Sequence, residues 1–228
     1  MVRRHSSKNG QPATAAPESP ARGRILSAAF AAFKELGYSQ ASTLEIATRA
    51  KVSKRELYAL FGNKQQMLVT CIAERAQRMR LPDDWPALKD RGDLEGALTA
   101  FGEVLLREIS DPDVVAVYRF AIAEADRSIE AAQALDTYGR QAACAALGAM
   151  LKQAQSAKLL DDTDAGRMVG QFMSLLLADV VMGLALGLAQ RPSAGEIRQR
   201  ARDATRAFLQ LHPERESGAG TPRAGRVR

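Results

Sequence analysis

Residues 41–64 read ASTLEIATRAKVSKRELYALFGNK, and two phrases inside this stretch are built alike. Ser42-Thr43-Leu44-Glu45 and Ser53-Lys54-Arg55-Glu56 each set a serine three residues before a glutamate, the capping-box pattern that opens a helix. The helices they open are too short to stand alone, so they must pack on neighbours. Ile46, Ala47 and Val52 face Leu57 across a three-residue turn, and the small Ala47 lets the two helices approach closely. This is the layout of a helix-turn-helix, whose second helix lies in the major groove of DNA. Lys54 and Arg55 stand at the N-terminus of that second helix, where unpaired N–H groups and the positive end of the helix dipole add attraction for phosphate.

On either side of this stretch the apolar period is helical, with no convincing strand alternation and no internal repeat. Ser19-Pro20 predicts an N-cap with proline at the first helical position. Ile25, Leu26, Ala29, Phe30, Phe33 and Leu36 then form one face, and Gly37 supplies a stop. Asn63 caps a fourth helix with the face Met67, Leu68, Cys71, Ile72 and Met79, broken by Leu81-Pro82 and Trp85-Pro86. Leu94–Ile109 is helical, Asp111-Pro112 opens another helix through Ala125, and a long run extends from about Leu135 to Ala157. Phe172–Ala189 is the most apolar segment, long enough to weigh as a membrane span. Asp179 at its middle argues against lipid, and a helix apolar on most faces is also what a buried subunit interface requires. Ser193 and Glu196 box the start of a last helix reaching Leu211.

The charge is unevenly spread along the 228 residues. Residues 1–80 hold 14 Lys/Arg against 5 Asp/Glu, a net +9, whereas residues 81–212 hold 14 against 19, a net −5. A basic front joined to an acidic back suits a polyanion-binding part attached to something else. Residues 1–18 carry Arg3, Arg4 and Lys8 among Pro and Ala and read as a disordered basic arm; residues 213–228 read as a disordered tail. His5 and His212 are the two histidines, near opposite ends in segments that look like tails, which leaves little room for a His-based metal site or a Ser-His or Cys-His triad. Cys71 and Cys144 fall in apolar helical patterns and read as buried reduced thiols, which fits a cytoplasmic protein.

With Gly37-Tyr38, Ile46-Ala47, Val52-Ser53-Lys54, Leu57-Tyr58 and Phe61 to Lys64 in view, residues 20–70 strongly resemble the TetR family of transcriptional regulators. The resemblance implies phosphate contacts from Thr43, Tyr58 and Lys64, and a groove-facing set of Lys54, Arg55 and Glu56. It also implies an all-helical homodimer that meets through its last two helices, and a C-terminal domain holding a small-molecule effector pocket. The later helices look, more loosely, like the AcrR/AefR-like branch. Lys51 stands where the family usually has glycine, and a left-handed conformation there costs a non-glycine residue about 1 kcal/mol. Arg55 and Glu56 replace the small residues common in the recognition helix.

Residue by residue, Arg55 is placed to pair bidentately with guanine. Glu56 serves equally as a helix cap or as a reader of cytosine N4, and Tyr58 as a core ring or a phosphate donor. Tyr38 and Phe61 read as core. Phe101, Tyr118, Tyr138, Met150, Phe172 and Met173 are candidate pocket linings or ordinary core.

The expected fold is all-α with about nine helices: an N-terminal three-helix helix-turn-helix domain over 19–63 and a helical effector-binding and dimerisation domain over 64–212. The expected function is a homodimeric repressor that binds a pseudo-palindromic operator and is released by an effector, without cofactor, metal or membrane. A helical enzyme is the first competitor, given pairs such as Glu103 and Glu108, but there is no Glu-x-x-His pair or phosphate-binding glycine loop. A structural dimeric adaptor without DNA binding is the second.

Overall fold

The structure is a computed structural model that describes residues 19–78, 87–126 and 129–215, the side chains of 76–78 excepted. The basic arm, Met79, the Leu81-Pro82 and Trp85-Pro86 breaks and the tail beyond 215 lie outside the described residues. All regular structure among the described residues is helical: α1 (Pro20–Gln40), α2 (Thr43–Ala50), α3 (Lys54–Phe61), α4 (Lys64–Arg78), α5 (Arg91–Ile109), α6 (Pro112–Ala123), α7 (Ile129–Leu135), α8 (Ala142–Ser156), α9 (Ala165–Leu177), α10 (Val180–Leu186) and α11 (Ala194–Leu211). A π turn, Asp136–Gln141, joins α7 to α8. The chain divides into two compact units after Met67, four residues into α4.

The first unit follows its caps. Ser19 accepts from the Arg22 N–H at 3.2 Å with Pro20 in the first turn, and α1 buries Ile25, Leu26, Ala29, Phe30 and Phe33. Gly37, at φ 77°, breaks the helical path where a stop is expected, and one further turn carries the chain to Gln40. Helix α1 packs on α2, and α2 on α3. Ile46, Ala47, Leu57 and Phe61 are buried, and each of the larger ones contributes roughly 1.5–3 kcal/mol. Lys51 ends α2 in the left-handed region at φ 54°, ψ 48°. Its N–H donates to the Thr48 carbonyl at 3.2 Å and the Val52 N–H to the Ala47 carbonyl at 3.1 Å, a Schellman closure that aims the chain into α3.

In the second unit α11 lies against α5 and α9, and α8 against α9. Their shared core includes Phe101, Leu105, Leu147, Met150, Phe172 and Phe208. The long run expected from about Leu135 to Ala157 opens with the π turn and continues as α8. There the Asp136 carboxylate accepts from Arg140 and, five residues on, from Gln141 Nε2 at 2.7 Å, a spacing that suits a widened turn. The apolar segment Phe172–Ala189 is also two helices: α9 starts earlier, behind the Asp164 cap, and bends by 47° into α10 at Ala178-Asp179. Arg200 imposes this break, donating to the Leu176 carbonyl at 2.7 Å and the Leu177 carbonyl at 3.3 Å where the helix would have continued. Among the described residues no single helix is long and apolar enough to cross a membrane. Ser193 and Glu196 close a full capping box at the start of α11.

His212 departs from its expected place in a tail. It is buried on Phe208, ring centroids 4.7 Å apart, with Nδ1 3.2 Å from the Asp161 carboxylate and Nε2 2.9 Å from Gln171 Oε1. Two polar partners and an aromatic face hold the ring inside the unit.

Candidate nucleic-acid interface

Two capped helix starts build the exposed face of the first unit. At α2, Ser42 Oγ accepts from the Glu45 N–H at 3.0 Å, yet the Glu45 carboxylate does not turn back to complete the box. It instead accepts from Arg49 Nε at 2.8 Å, while Glu35 on α1 accepts from Arg49 Nη1 at 2.7 Å. The hydrogen bonds Arg49 donates to Glu45 and then to Glu35 push its guanidinium further up, so this cation is paired within the unit.

At α3, Ser53 Oγ accepts from the Glu56 N–H at 3.1 Å, and here too only half the box forms. Lys54, Arg55 and Glu56 are exposed, and their side chains make no ion pair or hydrogen bond among the described residues. Three uncommitted charged side chains therefore stand on the first turn of α3, two of them cationic, at the end where helix N–H groups already favour an anion.

Tyr58 is 44% exposed, one turn further along α3. Its hydroxyl lies 3.1 Å from Thr43 Oγ1, so the first turn of α2 and the middle of α3 present a hydroxyl pair side by side. Lys64, at the start of α4, is half-buried: its ammonium donates to the Ser39 carbonyl at 3.3 Å and sits 4.4 Å from the centre of the Tyr38 ring. Tyr38 in turn packs on Phe33 at 5.4 Å, so the ring read as core is also a cation rest. Phe61 is core, with the Arg22 guanidinium 5.4 Å from its ring centre. A contributor missed from sequence is Arg24, whose Nε donates to the Ala50 carbonyl at 3.2 Å and closes the C-terminus of α2. Nothing local marks it, because donor and acceptor are 26 residues apart.

The six candidate pocket residues do not all come together. Phe101, Met150 and Phe172 are wholly inside the core of the second unit, Phe101 and Phe172 edge to face at 6.1 Å, with Met173 half-buried against it. Tyr118 is half-buried on α6, its phenol pushed up chiefly by burial, and Tyr138 is exposed on the π turn. Two surface hollows in this unit, one along α8 and α9 and one at the α10–α11 corner, are lined by other residues. No group of three His, Cys, Asp or Glu among the described residues is placed to hold a metal ion.

Comparison with known proteins places both units. The family model described as bacterial regulatory proteins, tetR family, matches residues 25–71, and the one described as AefR-like transcriptional repressor, C-terminal domain, matches residues 96–212. Among solved structures, a TetR-family transcriptional regulator from Mesorhizobium loti is 23% identical, with a TM-score of 0.73 over 86% of this chain and 100% of that one. The flavonoid-responsive regulator FrrA is 27% identical, with a TM-score of 0.71 over 90% of this chain and 98% of its own. FadR from Bacillus subtilis, solved in complex with stearoyl-CoA, is 16% identical and shares the fold with a TM-score of 0.61, over 82% of this chain and 97% of its own. No curated protein matches the chain.

Proposed function

The chain belongs to the TetR family of DNA-binding transcriptional regulators, and on that footing we propose that it is a homodimeric repressor whose hold on a pseudo-palindromic operator is loosened by a small molecule. The first unit is the DNA-binding part; the second binds the effector and dimerises through α9–α10 and α11. Lys54, Arg55 and Glu56 face base edges in the major groove, while Thr43, Tyr58 and Lys64 take phosphates. The observation that carries this reading is the uncommitted Lys54-Arg55-Glu56 turn at the capped start of α3, beside the Tyr58–Thr43 hydroxyl pair.

Two copies of α3 read two half-sites when their separation matches the helical repeat of DNA, which is why the operator is expected to be a pseudo-palindrome. An effector lowers affinity only by as much as it prefers the dimer whose heads are wrongly spaced. Helix α4 begins in one unit and ends in the other, so it is the covalent route for that preference. That two relatives are named for a flavonoid response or solved with stearoyl-CoA supports effector control and not any one effector. The protein acts in the cytoplasm, where its DNA is, and no enzymatic activity is assigned to it.

Selection of bound fragments from a genomic library, followed by footprinting, tests the proposal. The expected footprint is two-fold symmetric, with protected half-sites one helical turn or a small multiple apart. An asymmetric single half-site, or no selected fragment at physiological salt, overturns it.

A further inference from the structure

Lys51 holds the turn between α2 and α3 in the left-handed region, at φ 54° and ψ 48°. Its backbone is fixed from both sides. The Lys51 N–H donates to the Thr48 carbonyl at 3.2 Å, the Val52 N–H to the Ala47 carbonyl at 3.1 Å, and Arg24 of α1 to the Ala50 carbonyl at 3.2 Å. Ala50 before it is buried and Val52 after it half-buried, so its neighbours turn inward and Lys51 is left facing solvent. Glycine takes this conformation without strain, and a lysine does not. Strain alone assigns no role, since Lys158, after α8, is held in the same way at φ 62°. What sets Lys51 apart is where it stands.

Three chain steps separate Lys51 from Lys54, so the two Cα atoms lie within about 10 Å of each other. That is less than the ~12 Å width of the major groove of DNA. With Lys54 at base edges, the residue three steps before it stands at the groove wall, where the phosphates are. The Lys51 side chain is exposed and makes no ion pair or hydrogen bond among the described residues. Residues 19–63 hold three carboxylates, Glu35, Glu45 and Glu56. Glu35 and Glu45 are paired with Arg49, which leaves Glu56 alone on this face against Lys51, Lys54 and Arg55. The Lys64 ammonium, by contrast, already rests on the Ser39 carbonyl and the Tyr38 ring. Of these two lysines, Lys51 is the more available to an anion.

We propose that Lys51 is a further contact to the DNA backbone, a cation set in the turn itself that takes a phosphate at the wall of the groove read by α3. This rests on the reading of α3 as the helix that enters the groove. The hydrogen-bonded turn holds the lysine backbone in place before DNA arrives, so little order is lost on contact. The contact carries no sequence information, since every duplex offers the same phosphates. It adds affinity and salt dependence, and the chain accepts a strained turn where glycine would be more stable.

Fluorescence anisotropy of the full chain across a salt series tests this, on a fragment selected from the genomic library and on a scrambled duplex of equal length. Lys51→Met keeps the stem and removes the charge. It should weaken binding to both duplexes about fivefold per half-site near 0.15 M salt, with a log–log salt slope shallower by about 0.9 per half-site. Lys51→Arg, which keeps a cation, should recover affinity and slope. Lys51→Gly should show the same loss on DNA while its urea midpoint rises, which separates the missing charge from a damaged fold. Parent affinity and slope in Lys51→Met, a loss without a change of slope, a loss on one duplex only, or no recovery in Lys51→Arg overturns the contact. If the parent binds and Lys51→Met matches it, the contact alone is wrong and the reading of α3 stands. If the parent binds neither duplex, the contact and the repressor reading fall together.

Discussion

At the residue scale, Lys51 shows most directly how a local conflict was resolved. The three-residue turn needs a left-handed residue, and the chain uses lysine at φ 54°. Lys51→Gly should therefore raise stability by about 1 kcal/mol, read as a shift in the urea midpoint at unchanged slope; a loss of stability would mean that the lysine stem packs usefully. Tyr58 has the opposite standing. Tyr58→Phe removes a hydroxyl that holds no core together, so the melting temperature should not move while DNA affinity falls by a similar factor on every sequence, as expected for a phosphate contact. A loss confined to one operator variant would make it a base reader. Asp161 gives an acid limit. Burial pushes its carboxyl up, but hydrogen bonds from the Thr163 hydroxyl and N–H and from His212 outweigh this and hold it below the usual range. A lowered native value stabilises the fold above the unfolded-state value and stops doing so as pH falls through the native one. Asp161→Asn should therefore cost stability at pH 7 and progressively less below about pH 4, measured by denaturant unfolding at each pH.

At the scale of the element, what was legible in the sequence was what neighbouring residues decide among themselves. Serine caps at positions 19, 42, 53 and 193 and Asn63 all mark helix starts, because the cap oxygen and the N–H that donates to it are three residues apart. What distant residues decide was not legible. Glu45 abandons its box because Glu35 helps Arg49 compete for it, and the apolar segment breaks at Ala178, an excellent helix former, because Arg200 takes the preceding carbonyls. The proposed DNA face is contiguous in sequence and so open to such reading, whereas the hollow at the α10–α11 corner is walled by residues from 106 to 200 and has no local signature. Arg91 illustrates how much a single distant tie carries. Its guanidinium closes three carbonyls, those of Leu159, Leu209 at 2.5 Å and His212 at 2.7 Å, joining the start of α5 to the segment after α8 and to the end of α11. Arg91→Met should cost about 2–3 kcal/mol in urea unfolding, since carbonyls left without a donor pay their desolvation. A cost under 0.5 kcal/mol would mean that water replaces it.

At the scale of the whole molecule, charge and fold divide in the same order. The net +9 of the first 80 residues covers the unit whose exposed turn carries Lys54 and Arg55, and the net −5 of residues 81–212 covers most of the unit matched as a repressor C-terminal domain. A chain organised this way is drawn to DNA at one end only, and its affinity should fall steeply with salt as counterions return to the phosphates. The central claim is that the first turn of α3, with Tyr58 behind it, is the surface that grips DNA. Fluorescence anisotropy on a selected fragment, comparing the parent with Lys54→Ala, Arg55→Ala and Tyr58→Phe combined, tests this most directly when run across a salt series. The account predicts a loss of at least about a hundredfold at physiological salt and a shallower log–log salt slope, with unchanged helicity by circular dichroism. A triple variant that stays folded and binds with the parent's affinity and slope would contradict it.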